Sequence, residues 1–274
     1  MAETWLRENR ARWNELVAVH ARARGTYDLE AFKAGRSTLR SVELAEVGEV
    51  RGKSLLHLQC HFGMDTLSWA RHGAKATGVD FAPAAIDLAR ELSVEIGVPA
   101  EFVCSNVYEL AENLDGEFDI VFTSYGVLCW LPDLPTWADV VAHFLAPGGV
   151  FYLVEQHPVG NVMVDRDGAL VVAESYFDTG PVVVSADGSY ADRNAVLQNN
   201  TSHEWQHSLS DVVNSLIEAG LRIEFVHEFP FAMFPQLASM VEDEGGWWHV
   251  PRRDDLPFLF SLKATRPGPP QPSY

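Results

Sequence analysis

The chain has 274 residues, of which 47% are hydrophobic and 21% charged, enough apolar sequence for one large domain with an ample core. Its formal net charge of −18 disfavours a nucleic-acid substrate, because phosphate neutralisation needs clustered Lys and Arg. The three cysteines form no C-x-x-C pair, which argues against a disulfide framework or a zinc site and for free, buried thiols in a reducing compartment. The N-terminus lacks an apolar signal core and no run approaches a membrane span, so a cytoplasmic protein with no membrane partner is expected.

Residues 3–24 carry helical spacing, with Trp5, Leu6, Trp13, Leu16 and Val17 among Arg and Glu, and Gly25 marks the end. A short helix is expected over Leu29–Lys33 behind an Asp28 cap, and another follows to about Ala45. None of this is needed to build a sheet, so residues 1–48 read as a helical cap. Tyr27 and Phe32 are its candidates for closing a site.

Ser54–Cys60 is a short apolar run of the length of a strand buried on both faces. A turn at Gly63, a helix over Thr66–His72 and a second strand over Lys75–Asp80 complete a βαβ unit. In such units the ligand crevice lies beyond the carboxyl ends of the strands. Asp80, 17 residues after Gly63, is placed there to accept hydrogen bonds from the two hydroxyls of a ribose. The unit therefore predicts a nucleoside site.

These residues resemble the cofactor-binding half of class I S-adenosylmethionine (SAM)-dependent methyltransferases, in a subgroup with a Leu-Gln-Cys-His-Phe-Gly form of the first motif. The usual Asp-x-Gly-x-Gly-x-Gly is represented by His57-Leu-Gln59-Cys-His61-Phe-Gly63, so only Gly63 is kept. Gln59 and His61 must either adopt backbone angles that non-glycine residues tolerate or carry strain. Their side chains are then available to the amino-acid end of the cofactor.

Pro83–Ile96 follows as an amphipathic helix, and Ala100–Ser105 as the third strand. The resemblance implies that Asp80 binds the ribose, Phe81 flanks the adenine, and Asn106 and Val107 meet the adenine edge. Phe118–Ser124 is the fourth strand, and its end, Ser124-Tyr125-Gly126, lies on the face where chemistry belongs; the resemblance gives the Ser124 backbone to the methionine moiety. The helix Trp137–Leu145, the stop Ala146-Pro-Gly-Gly149 and a strand Val150–Glu155 resemble the family's next phrase. His157 is the first candidate for a general base, with Tyr125 and Glu155 behind it.

Residues 159–204 break the rhythm with alternating apolar segments and the pairs Asp167-Gly168 and Asp187-Gly188, which predict a small antiparallel insertion acting as a substrate cap. A helix at Ser210–Ala219 and strands at Leu221–Glu228 and Pro257–Ala264 close the sheet, with a long aromatic loop or helix over 229–256 between those strands. Arg266–Tyr274 is a Pro-rich tail expected to be disordered.

The expected fold is therefore α/β: a Rossmann-like seven-stranded sheet with an antiparallel last strand, carried by one domain over 1–265. The expected function is SAM-dependent transfer of a methyl group to a small-molecule acceptor at oxygen or nitrogen, with S-adenosylhomocysteine as product. Three alternatives stand beside it: a SAM-binding protein without catalysis, an NAD-dependent oxidoreductase, and a zinc hydrolase using His203-Glu-Trp-Gln-His207. The oxidoreductase needs G-x-G-x-x-G, which Gln59–Met64 lacks. The hydrolase needs both histidines on one helix, whereas the best helix start lies after them; no metal is expected.

Overall fold

The computed structural model describes residues 2–25, 27–177 and 180–268. The N-terminal cap is three helices: α1 (Ala2–His20), α2 (Leu29–Lys33) and α3 (Ser41–Val47). The first ends a turn earlier than its apolar spacing suggested. The second is capped as expected, the Ala31 N–H donating to Asp28. In chain order the core then runs β1 (Ser54–Leu58), α4 (Met64–Arg71), β2 (Lys75–Asp80), α5 (Pro83–Glu95), β3 (Glu101–Cys104), β4 (Phe118–Ser124), α6 (Leu134–Phe144) and β5 (Leu145–Gln156).

After the core come α7 (Pro158–Asn161) and four strands in two hairpins: β6 (Met163–Arg166) with β7 (Ala169–Val172), and β8 (Pro181–Ser185) with β9 (Thr201–Trp205). Asp167-Gly168 makes the first hairpin turn. Asp187-Gly188 instead begins a long loop over 186–200. The chain ends with α8 (Leu209–Glu218), β10 (Arg222–Phe229), the short strands β11 (Phe231–Ala232), β12 (Val241–Glu242) and β13 (Trp248–His249), and β14 (Leu259–Thr265). The segment expected as an aromatic loop or helix is thus a three-stranded sheet, β11-β13-β12, in which Trp247 packs on Phe231 and beneath Arg40.

The main sheet has seven strands in the order β10-β14-β5-β4-β1-β2-β3. Neighbours from β5 to β3 are parallel, and β14 is inserted antiparallel between β5 and β10. Chain order proceeds one way from β1 through β2 to β3 and the other way from β4 to β5. The carboxyl ends of β1 and β4 therefore flank the switch point, the place where a doubly wound sheet opens a crevice. β5 begins earlier than expected because Leu145 pairs with Phe118 across a bulge before the regular ladder starts at Val150.

Both faces of the sheet are covered by apolar layers. One is built on α6 and α8, with Trp137, Val141, Phe144 and Leu216 fully buried. The other includes α4, α5 and the cap, with Leu67, Ile86 and Phe32 in its core. Arg266 pairs with Gly148 and Gly149 through its backbone and reaches Glu117 through its guanidinium, tying the start of the tail to the beginning of β5. Residues 269–274, most of the tail expected to be disordered, lie outside the described residues.

The motif turn is fixed by close packing. Gly63 has φ +76° and caps α4, and a Cβ there would lie 2.5 Å from the Phe102 ring. The same ring lies 2.9 Å from where a Cβ on Gly78 would stand. Gly63→Ala combines a left-handed backbone with a collision, so it should lower unfolding free energy by roughly 2 kcal/mol or more, read from the urea midpoint.

Candidate active site

At the switch point the two non-glycine residues of the motif have left-handed backbones, Gln59 at φ +57° and His61 at φ +51°. Side chains at such angles cost roughly 1–2 kcal/mol each relative to glycine. Tyr125, at the end of β4, is strained in the same sense at φ +32°. Three bulky residues thus occupy positive-φ positions around one crevice.

The motif loop is held to β2 by Asp80. Its carboxylate accepts from the His61 N–H at 2.9 Å and from the Ala82 N–H at 2.9 Å. It is 8% exposed, and burial pushes its pKa up to about 6. Each oxygen retains a lone pair beyond its backbone bond. Beside it, a pocket of about 170 Å³ is lined by Leu6, Arg10, Phe81, Cys104, Ser105 and Asn106, among others, at the carboxyl ends of β2 and β3. Cys104 is exposed there rather than buried as expected; Cys60 is buried and Cys129 half-buried. Asn106 lines this pocket but uses its amide oxygen to cap the 3-10 turn over 107–112, accepting from the Tyr108 N–H. The Val107 side chain packs into the core, leaving only its backbone for a ligand.

The β4 end of the crevice is held by Glu155. Its buried carboxylate accepts from the N–H groups of Gly126, Val127 and Leu128, and of Gln156. Across the crevice the Gln59 amide donates to the Val127 carbonyl at 3.0 Å, while its own oxygen is buried and unpaired. Ser124 lies behind, donating to Asp65 at 3.2 Å, with the His57 Nε2 at 3.3 Å. The opposite nitrogen of His57 meets Thr66 instead of an acid, so this group lacks the order of a nucleophilic triad.

The three candidate bases are all engaged. His157 caps α7, its Nδ1 accepting from the Val159 N–H, and its Nε2 lies 2.8 Å from Glu228. That bond at Nδ1 requires a bare nitrogen there, so the ring proton sits on Nε2, which approaches Glu228 without making a hydrogen bond, and Nδ1 can take another group's proton only by losing Val159. Tyr125 donates to Glu43 at 2.6 Å, on the α3 side. Glu155 holds the loop. In the H-E-x-x-H run, His203 lies on strand β9 against Glu8, and the His207 Nε2 donates to the Leu131 carbonyl. Among the described residues no group of three or more His, Cys, Asp or Glu could hold a metal ion.

Above the crevice lies a cluster the sequence reading did not assemble. Trp13 packs edge-on against both His61 and Trp130, and His20 stacks on Tyr27. Tyr27 also meets Tyr190, from the insertion, hydroxyl to hydroxyl. Phe32, the other expected closing residue, is instead fully buried in the core. A signal was present: Asn9, Arg12, Leu16 and His20 are buried at helical spacing on α1, so polar groups share its inward face.

Residues 56–153 match the family model described as a methyltransferase domain. The segment runs from the middle of β1 through most of β5 and includes Gln59, His61, Asp80 and Asn106, but not Glu155. Curated relatives include the ubiquinone biosynthesis O-methyltransferases of Xanthomonas euvesicatoria, 32% identical over 143 residues, and of Escherichia coli, 32% identical over 155. Those alignments cover 51% and 55% of this chain and 59% and 64% of the relatives. The chain therefore spans less than two thirds of the curated relatives it matches. Among solved structures, a SAM-dependent methyltransferase from Mesorhizobium loti superposes with TM-score 0.56 at 20% identity, covering 82% of this chain and 96% of that one. The glycopeptide N-methyltransferase MtfA, complexed with SAM, gives 0.54 at 17%, covering 82% and 92%. The fold is that of SAM-dependent methyltransferases.

One buried acid makes the site pH-sensitive. Burial lifts Glu43 from the ordinary 4.5 to about 7, against the stabilising bonds from Tyr125 and the Arg40 N–H. A raised folded-state value means that the stabilising contribution is complete below pH 4.5 and is lost as pH rises through 7. The unliganded protein should lose on the order of 2–3 kcal/mol across that window from this group. Glu43→Gln, whose oxygen can accept from the Arg40 N–H while its amide donates to the Tyr125 oxygen, should flatten that part of the curve in thermal melts against pH.

Proposed function

We propose that the protein is a SAM-dependent methyltransferase acting on the oxygen of a small, partly apolar acceptor. The observation that carries this reading is the coincidence of the methyltransferase-domain match with a crevice whose acid, Asp80, stands at the carboxyl end of β2 beside an open pocket. The choice of oxygen draws on the curated relatives, whose names specify O-methylation.

The residues fit the cofactor on observations of their own. Asp80 has lone pairs for a ribose diol. The pocket beside Phe81 and Asn106 offers the adenine a ring face and an amide. Gln59 Oε1 is a buried acceptor without a partner, and a ligand ammonium would satisfy it. When bound, SAM supplies an electrophilic methyl on sulfur. The chain's task is then to align the acceptor and exclude water. Tyr27, on the cap, closes over the motif loop through its contact with His61.

In this reading residues 1–265 act as one domain, the cap and the insertion forming the acceptor chamber, in the cytoplasm and without nucleic-acid or membrane partners. Among the described residues no helix is long and apolar enough to cross a membrane. The Gln59–Val127 bridge favours a second reading, a SAM-binding protein without turnover, because it closes the crevice between β1 and β4. Release of S-adenosylhomocysteine in an acceptor screen separates the two.

Calorimetry tests the main reading. SAM and S-adenosylhomocysteine should bind while NAD does not, and Asp80→Ala should weaken S-adenosylhomocysteine by tenfold or more, the equivalent of about 1.4 kcal/mol. Binding of NAD alone, or unchanged affinity in the variant, would overturn it.

A further inference from the structure

We propose that His61 and His20 form a two-ring base that takes the proton from the methyl acceptor's hydroxyl, His61 touching the acceptor and His20 positioning and backing it. This rests on the methyltransferase reading and names a residue pair for the proton step, which His157 is not free to perform.

The geometry is specific. His20 Nδ1 and His61 Nε2 are 3.0 Å apart, a direct ring-to-ring hydrogen bond. His20 is fully buried, and the two outer nitrogens, His20 Nε2 and His61 Nδ1, are buried with no partner. Burial holds both rings below the ordinary histidine value, His20 down to about 4, so both are neutral at pH 7. Two neutral rings carry two N–H protons on four nitrogens. One proton lies in the bridge. Whichever ring donates it, the outer pair is then one N–H and one bare lone pair. The structure therefore holds a base and a donor at the two ends of one hydrogen-bonded unit; a proton taken up at the bare end can pass across the bridge as another leaves the far end, which exchanges the two roles.

Position makes that unit useful. His61 belongs to the loop at the end of β1, and its N–H is bound by Asp80, the proposed ribose acid. The pair thus lies at the cofactor crevice. Around it are Trp13, Tyr27 and Tyr190, whose rings make a water-poor wall. The titratable neighbours are Arg12 on α1, which disfavours a charge on His20, and Tyr27, Tyr190 and Asp80. The unpaired His61 Nδ1 in such a place is a cost to the unliganded protein that a bound hydroxyl removes.

The proton balance closes without a further reactant. The acceptor O–H gives its proton to the bare His61 Nδ1, the oxygen forms its bond to the methyl carbon, and the carbon–sulfur bond breaks with its electron pair left on sulfur. The pair becomes one imidazolium shared across the bridge, later discharged to water. Before transfer, burial and the donor's positive sulfonium keep the rings unprotonated. An acceptor oxygen gaining negative charge beside the ring raises its proton affinity as transfer proceeds.

The test uses the full chain loaded with S-adenosylhomocysteine and 4-nitrocatechol, whose ionisation is visible by absorbance. Below the dye's own ionisation midpoint, wild-type protein should bind it in the ionised form. His61→Gln and His20→Phe should each abolish that spectral change while S-adenosylhomocysteine affinity, read by calorimetry, changes less than about threefold (roughly 0.65 kcal/mol). With SAM, dye methylation should fall by about 10²–10⁴ in either variant, and the double variant should be no slower than the singles. A purely structural role would lower the melting temperature without removing the ionised-dye band. Failure of wild type to bind S-adenosylhomocysteine would sink the methyltransferase reading itself. Cofactor binding without dye ionisation, or ionisation that persists in either variant, would overturn the base assignment alone.

Discussion

The site depends on what one buried carboxylate does with three successive backbone N–H groups. Glu155, at the end of β5, collects the amides of Gly126, Val127 and Leu128 as the chain leaves β4. Such a cluster of donors would otherwise be left unpaired inside the protein, at a cost of about 1–3 kcal/mol each. The loop they belong to forms one wall of the switch-point crevice, and its carbonyls at Gly126 and Val127 receive Trp130 and Gln59. Asp80 performs the corresponding service on the other wall, gathering the amides of His61 and Ala82. Two carboxylates, at the ends of β5 and β2 with β4 and β1 between them, thus set the width and the lining of the opening. Both have raised pKa values from burial, offset in part by the backbone donors they hold.

The chamber above is assembled from two remote parts of the chain. The Asn9 amide pairs with both the carbonyl and the N–H of His203, completing the outer edge of β9 as a neighbouring strand would. Arg12 donates to the carbonyls of Ala186 and Gly188, and Glu15 accepts from the N–H groups of Gln198 and Asn199. These contacts give the long loop over 186–200 a fixed course despite its lack of regular structure. They also carry Tyr190 to Tyr27 and so complete the aromatic wall around His20.

The sheet was legible in the sequence because each core strand is a short apolar run ending in a residue of distinct chemistry, as with Val79-Asp80 and Val154-Glu155. The resemblance of residues 54–90 to a known motif added the expectation of seven strands with the last one antiparallel. Harder to read was everything set by long-range partners. His157 looked available at a strand end, yet its role as a helix cap depends on Val159, and Glu228 reaches it from β10. Tyr125 looked catalytic, but its hydroxyl finds an acid on α3. His20 carried no motif; its significance comes from folding α1 onto the motif loop, and only the run of polar residues on that helix's inner face hinted at it. The segment over 229–256 has neither helical nor strand period, and its three short strands pair through turns that depend on Asp243 gathering the amides of Gly245 and Trp247.

The edge-completing contact between Asn9 and His203 has an evolutionary corollary. Because helix and hairpin share one polar seam, neither can drift in sequence or length without leaving buried amides stranded on the other. Grafting the hairpin alone onto another core of this fold would transplant a wall without its foundation.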